Sequence, residues 1–248
     1  MQTLKQREAE FFDDIYREDG RASVRKYYSV ATTVQNRFTS LIRENCEGLE
    51  TLEYGCGPGR YGLELARRGA RVTGIDVSET GIELANERAQ EMGLDNAHFL
   101  IMDAEELDFA TNSFDLVFGT GILHHLDLDR SLSEIARVLK PEGRAIFIEP
   151  LGHNPVINLF RRLRPELRTP DEHPLRARDL REMTRYFGHL DRECYCLTSL
   201  LAVPLRQRAS FRAVQTALES FDRALFRLPF TGLLAWQLLL VLTRPRLA

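Results

Sequence analysis

Thr51–Gly62 reads TLEYGCGPGRYG, an apolar run that ends in closely spaced glycines and passes directly into residues of helical character. Leu49–Tyr54 supply a strand, and Gly55, Gly57 and Gly59 permit backbone angles and a close ligand approach that a Cβ would block. Asp76 closes the next apolar stretch, Ala70–Ile75, at about the twenty-residue interval where an acidic group grips ribose hydroxyls. This strand, turn and helix are the frame of a site for an adenosine-type ligand.

Gly57–Gly62 also satisfies the lone GxGxxG of dinucleotide-binding proteins, a weak signal by itself. A dinucleotide sets an anionic pyrophosphate on the helix N-terminus. Glu53, at the strand tip before the glycines, would repel a phosphate and attract a cation. The charge at this position favours a ligand carrying positive charge.

Five blocks in order carry a family resemblance: LEYGCGPG at 52–59, VTGIDVS at 72–78, MDAEELDF at 102–109, FDLVFGTGILHHL at 114–126 and RVLKPEGRAIFIEP at 137–150. Over Leu49–Pro150 the chain resembles the class I S-adenosylmethionine-dependent methyltransferases, in their small-molecule branch. The resemblance implies S-adenosyl-L-methionine as cofactor. It passes the glycine turn along the methionine part, sets Asp76 on the ribose hydroxyls and flanks the adenine with Asp103 and Ala104; Glu53, Tyr54, Gly55, Cys56, Gly57, Gly59 and Val77 complete the expected cofactor-binding set. Gly119 and Thr120 then lie next to the transferable methyl. It also implies a Rossmann-like, seven-stranded, mostly parallel sheet whose last strand runs antiparallel.

The alternation of elements gives the same doubly wound α/β architecture independently. Helices are expected over Leu4–Tyr16, Val30–Ile42, Gly59–Arg68, Ser78–Met92 and Arg130–Leu139. Strands are expected over Arg71–Asp76, Ala97–Met102, Asp115–Gly119 and Arg144–Glu149. Residues 1–46 read as a helical cap, 47–150 as the cofactor-binding core and 151–248 as the substrate side, all in one domain. Beyond Pro150, helices are expected over Asn154–Leu163 and Ala177–Phe187, strands near Arg192–Ser199 and over Ala235–Thr243, and a loop over 164–174. Phe211, Val214, Leu218, Phe221, Leu225 and Leu228 mark a one-sided helical stripe.

A chain of 248 residues with 44% hydrophobic and 28% charged residues has the composition of an ordinary globular protein. The net charge of −3 conceals a division: 17 Lys plus Arg against 27 Asp plus Glu up to Pro150, then 16 against 9. An acidic cofactor half argues against nucleic-acid binding. Arg161, Arg162, Arg164 and Arg168 instead suit a carboxylate or phosphate on a small acceptor. With the apolar stripe they point to an apolar metabolite with an anionic end, such as a prenyl, polyketide or lipid-like molecule. The alternatives are an RNA or nucleoside methyltransferase and a non-catalytic S-adenosylmethionine-binding regulator.

The four cysteines have no metal or redox spacing, so no metal is expected and the thiols suit a reducing, cytoplasmic compartment. Leu228–Leu242, broken by Pro229 and Gly232, is shorter than the roughly 20 residues of a spanning helix, leaving peripheral contact as the only membrane role. No motif speaks to oligomeric state. As catalytic candidates, His153 follows the fifth strand at the ligand-binding edge of the sheet and is the preferred base. His125, with His124, follows the fourth strand, where either can equally be structural. Tyr28, beside Tyr27, can offer a π face to a sulfonium.

Overall fold

The computed structural model describes residues 4–18, 28–164 and 172–246; Tyr27 and Arg168 lie outside them. The elements in chain order are α1 (Leu4–Glu18), α2 (Thr32–Arg43), β1 (Glu50–Tyr54), α3 (Arg60–Ala66), β2 (Arg71–Asp76), α4 (Glu79–Glu91), β3 (Ala97–Ile101) and β4 (Phe114–Thr120). A 3-10 turn, Leu123–His125, leads to α5 (Leu128–Val138), β5 (Leu139–Pro150), α6 (Pro155–Leu163), α7 (Ala177–Tyr186) and β6 (Phe187–Tyr195). A 3-10 helix, Thr198–Leu205, then precedes α8 (Phe211–Leu225) and β7 (Gln237–Pro245).

Helix starts follow local chemistry. The Ser78 hydroxyl accepts from Gly81 N, Asp127 from Arg130 N, and Asn154 from both Val156 N and Ile157 N, each satisfying donors that a first turn leaves open. α3 begins differently, after Gly59 at φ +73°, a left-handed conformation that glycine adopts without penalty.

The seven strands form one sheet in the order β3-β2-β1-β4-β5-β7-β6. β1 to β5 pair in parallel, and β7 runs antiparallel between β5 and β6. The crossing from β3 back to β4 beside β1 opens a crevice at the carboxyl ends of β1 and β4. Side chains alternate across the sheet: Leu116 and Phe118 pack with α2, α3 and α4 on one face, while Val117 packs with α5 and α7 on the other. Burial on both faces explains why β4, β5 and β7 read as nearly continuous apolar runs.

The C-terminal part departs from the sequence reading in two ways. β6 occupies Phe187–Tyr195, several residues before the expected strand, because it is a half-exposed edge strand whose limits are set by pairing with β7. The stripe on α8 is also divided. Phe211 is buried and Val214 and Leu218 pack on the core, but Phe221 and Leu228 are exposed at 54% and 56%. The deeper anchor is Asp222, which accepts from Leu197 N, from Thr198 N and Oγ1, and from Ser199 N and Oγ. Burial alone would raise this carboxyl, and those hydrogen bonds overcome it and hold it low. Among the described residues, no helix is long and apolar enough to cross a membrane.

Candidate functional site: a cofactor cleft joined to an apolar cavity

Two hollows meet at the crevice. The first is lined by Gly55, Asp76, Val77, Asp103, Ala104 and Thr120 among others, with Lys5, Glu8, Phe12 and Tyr16 of α1 above them. The second, of about 480 Å³, is walled by Phe11, Ile15, Val34, Ile157, Phe160 and Trp236, with Tyr28, Arg161, Arg164, His124 and Glu172 also on its surface. Phe12, Thr120, Gly121 and His125 belong to both. The volume of the second is that of a pocket for a drug-sized molecule.

Asp76 ends β2 with one oxygen accepting from Gly57 N at 2.7 Å and the other from Ser78 N at 2.9 Å. Its carboxyl is therefore fixed at the lip of the cleft. Burial holds it above the usual carboxylate range, against the pull of those amides. Across the cleft, Asp103 and Glu105 pair with Lys5 of α1. Asp13 of α1 accepts from Thr80 N and Ser78 Oγ, and the Tyr16 ring covers Gly57 and Gly81. With α1 seated, the cleft measures about 80 Å³.

Several expected ligand residues instead form the wall behind the cleft. Tyr54 is fully buried and donates its hydroxyl to Ala104 O, and burial drives its phenol well above the usual range. Cys56 is buried, Gly57 gives its amide to Asp76, and Gly59 packs against Phe99 and Ala85. Gly119 lines neither hollow; a Cβ there would lie 2.5 Å from Tyr54 O.

Glu53 is placed differently from the sequence reading. It is 3% exposed, borders neither hollow, and accepts from Gly62 N at 2.8 Å in the first turn of α3. Burial pushes its carboxyl up to about 8, despite the helix amides. A carboxyl titrating near 4.5 when unfolded and near 8 when folded binds more protons in the native state between those values. Its stabilising contribution is full below pH 4.5 and is lost as pH rises to 8, on the order of 5 kcal/mol in total. Glu53→Gln should therefore flatten this dependence. In urea unfolding at pH 5, 7 and 8.5, the variant should gain on the wild type as pH rises; parallel stabilities across the range would refute the assignment.

The catalytic candidates separate as well. His153 lies outside both hollows, and its Nε2 accepts from Ala177 N at 3.1 Å, so it caps α7 instead of facing the cavity as a base. Tyr28 reaches the cavity and its ring sits 5.6 Å from that of Trp236. His125 lies at the junction of the hollows, its Nδ1 3.4 Å from Glu8 Oε1. Of the arginines, Arg161 and Arg164 line the cavity, while Arg162 is exposed and borders neither hollow. The α8 stripe lines no part of the cavity.

The sequence reading missed Glu149. Fully buried at the end of β5, it accepts from Ile122 N and Leu123 N at 2.9 Å each and holds His124 Nδ1 at 2.7 Å. Burial lowers the imidazole's affinity for a proton more than Glu149 raises it. The ring is thus neutral with its proton on Nδ1, a tautomer assigned from this bond. The EP ending of the last block was the only local trace of this role. The segment from Glu172 returns to the same place, where His173 N donates to His124 O at 2.9 Å and Leu175 N to Pro150 O at 3.0 Å. These bonds set Glu172 beside the histidine pair, and His124, His125 and Glu172 bring three ligand-type atoms within 4.8 Å of one another.

Comparison with known proteins gives the arrangement its context. The chain is 40% identical over 114 residues to methyltransferase GfsG of Streptomyces halstedii, covering 44% of this chain and 41% of that protein. It is 38% identical over 115 residues to a ubiquinone biosynthesis O-methyltransferase of Alkalilimnicola ehrlichii, covering 46% of each. The chain thus spans less than half the length of these curated relatives. In fold it matches geranyl diphosphate C-methyltransferase from Streptomyces coelicolor A3(2), solved with Mg2+, geranyl diphosphate and S-adenosyl-L-homocysteine. The TM-score is 0.61 over 86% of this chain and 80% of that one, at 17% identity. Residues 52–147 match the family described as methyltransferase domain. The glycine turn, Asp76, Asp103 and the histidine pair all lie inside that span, so the part of the chain that is similar to a methyltransferase domain is the part that builds the cleft.

Proposed function

We propose that the protein transfers a methyl group from S-adenosyl-L-methionine to a small, apolar acceptor with an anionic end. The observation that carries this is the junction: the cleft holding Asp76 and Asp103 opens into the apolar cavity at Phe12, Thr120, Gly121 and His125. A sulfonium supplies an electrophilic methyl, so the protein's main task is to align a nucleophile with it and exclude water. Asp76 would hold the ribose hydroxyls with the lone pairs its amide bonds leave, and Val77, Asp103 and Ala104 would frame the adenine. Phe11, Phe12, Ile157, Phe160 and Trp236 would exclude water around the acceptor, with Tyr28 at the wall and His125 at the meeting point.

Lys5 of α1 pairs with Asp103 across this cleft, so a ligand hydrogen-bonded to Asp103 would compete with that pair. Arg161 and Arg164 would meet the anionic end of the acceptor. The four free thiols support a reducing, cytoplasmic setting.

The test has two arms. Calorimetry should show S-adenosylhomocysteine binding at micromolar levels and no uptake of NADH; the reverse would remove the reading. Arg161→Glu and Arg164→Glu should raise the KM for prenyl phosphates or long-chain carboxylates about tenfold or more, the scale of a lost charge-assisted pair. Their S-adenosylhomocysteine affinity should be unchanged, and an unaltered KM would remove the anionic end from the proposal.

A further inference from the structure

The His124, His125 and Glu172 cluster has the composition and surroundings of a metal centre. We propose that these three residues bind a divalent transition-metal ion whose open coordination positions face the apolar cavity and take an oxygen of the acceptor. The place of that oxygen in methyl transfer rests on the function proposed above; the binding of the ion does not.

Four observations support the site. The ligand-type atoms of the three residues lie within 4.8 Å of one another. A tetrahedral ion with bonds near 2.0–2.1 Å needs about 3.3 Å between ligands. Rotation of the half-buried Glu172 side chain would close that difference. Next, each histidine presents Nδ1 to a carboxylate, His124 to Glu149 at 2.7 Å and His125 to Glu8 at 3.4 Å. Carboxylates at one ring nitrogen are what orients metal-bound imidazoles, and they direct Nε2 to the ion. Glu8 is 7% exposed and its Oε1 makes no hydrogen bond in this state, so a buried carboxylate oxygen already faces the ring it would orient.

The backbone also holds the ligands in place. His124 and His125 sit on the 3-10 turn that Glu149 pins through Ile122 N and Leu123 N, and His173 N ties the Glu172 segment to His124 O. Finally, all three residues line the 480 Å³ cavity, and His125 also lines the cofactor cleft, so an ion here would stand between acceptor and methyl donor. Two imidazoles and one carboxylate favour zinc, cobalt, manganese or iron over magnesium or calcium, which prefer all-oxygen sites. The acceptor class this implies bears a hydroxyl, phenol or enol oxygen.

The experiment titrates chelator-stripped full-length protein with Co2+ alone, followed by its visible absorption and by calorimetry, with Zn2+ as competitor. The proposal expects one Co2+ per chain, displaced by Zn2+, with affinity at least tenfold weaker in Glu172→Ala and in His125→Ala. Glu172→Ala should unfold at the wild-type temperature without metal, which keeps the test clear of misfolding. Absent stoichiometric binding, or Co2+ held equally by the wild type and both variants, overturns the site. S-adenosylhomocysteine is titrated into the same samples: its binding without Co2+ binding defeats only the metal centre, and Co2+ binding without it defeats only the methyltransferase reading.

Discussion

Glu149→Ala should cost about 3–5 kcal/mol, the largest loss expected from a single change in this protein. The carboxylate is fully buried and serves three donors at once: Ile122 N, Leu123 N and His124 Nδ1. Removing it leaves buried donors unmatched, at about 1–3 kcal/mol each, with partial relief where water enters the cavity. For a chain of this size, each kcal/mol lowers Tm by roughly 2–4 °C, so thermal unfolding should show a fall of about 6–20 °C. Glu149→Gln separates charge from shape. Its carbonyl still accepts from the two amides, so it should stay within about 1.5 kcal/mol of the wild type. Its amide NH2 would face His124 Nδ1, however, and move the imidazole proton to Nε2, a change that the ring 15N shifts report. If alanine proves harmless, the 3-10 turn is held by something other than this carboxylate.

Gly119→Ala should have the second-largest effect, and it should reach the cofactor cleft without touching it. A Cβ at this position would lie 2.5 Å from Tyr54 O and 3.0 Å from Ile122 and Phe147. The first obstacle is backbone, so relief requires the tips of β1 and β4 to separate. Overpacking of this kind costs about 1–3 kcal/mol. Those tips carry Gly55 and Thr120, both lining the cleft. We therefore expect a Tm about 2–12 °C lower, by the same size scaling, and S-adenosylhomocysteine binding weakened tenfold or more. Wild-type affinity with lowered Tm would show that the strand tips can part without disturbing the cleft.

These two residues show how unevenly the chain discloses its site. The family resemblance places Gly119 next to the transferable methyl, whereas the structure uses its missing side chain for strand packing. Glu149 stands in FIEP without a local signal, because nothing nearby distinguishes a carboxylate that ends a strand from one that holds a turn 27 residues earlier. The error at His153 has the same origin. His153 follows β5, and whether its ring faces the cavity or caps α7 depends on where Ala177 returns.

Glu53 departs from its sequence expectation for a related reason. As a carboxylate before a glycine turn it looked available to a cationic ligand, but α3 folds back so that Gly62 N takes its oxygen and closes it off. The helical stripe on α8 carried the right period and still misled, since periodicity defines a face without saying which neighbour covers it. Asp222, a charged residue, anchors that helix more firmly than Phe221 does.

Local chemistry alone determined the alternation of strands and helices, the glycine turn at 55–59, the acidic lip at Asp76 and hence the class of fold, because caps, periods and glycine angles act over a few residues. Tertiary structure alone decided which groups face the two hollows: the seating of α1 over the cleft, the Glu149 clasp on the histidine pair, and the return of Glu172 to that pair. Each of these joins residues far apart in the chain, and such a contact depends on how elements pack, which no window of sequence contains.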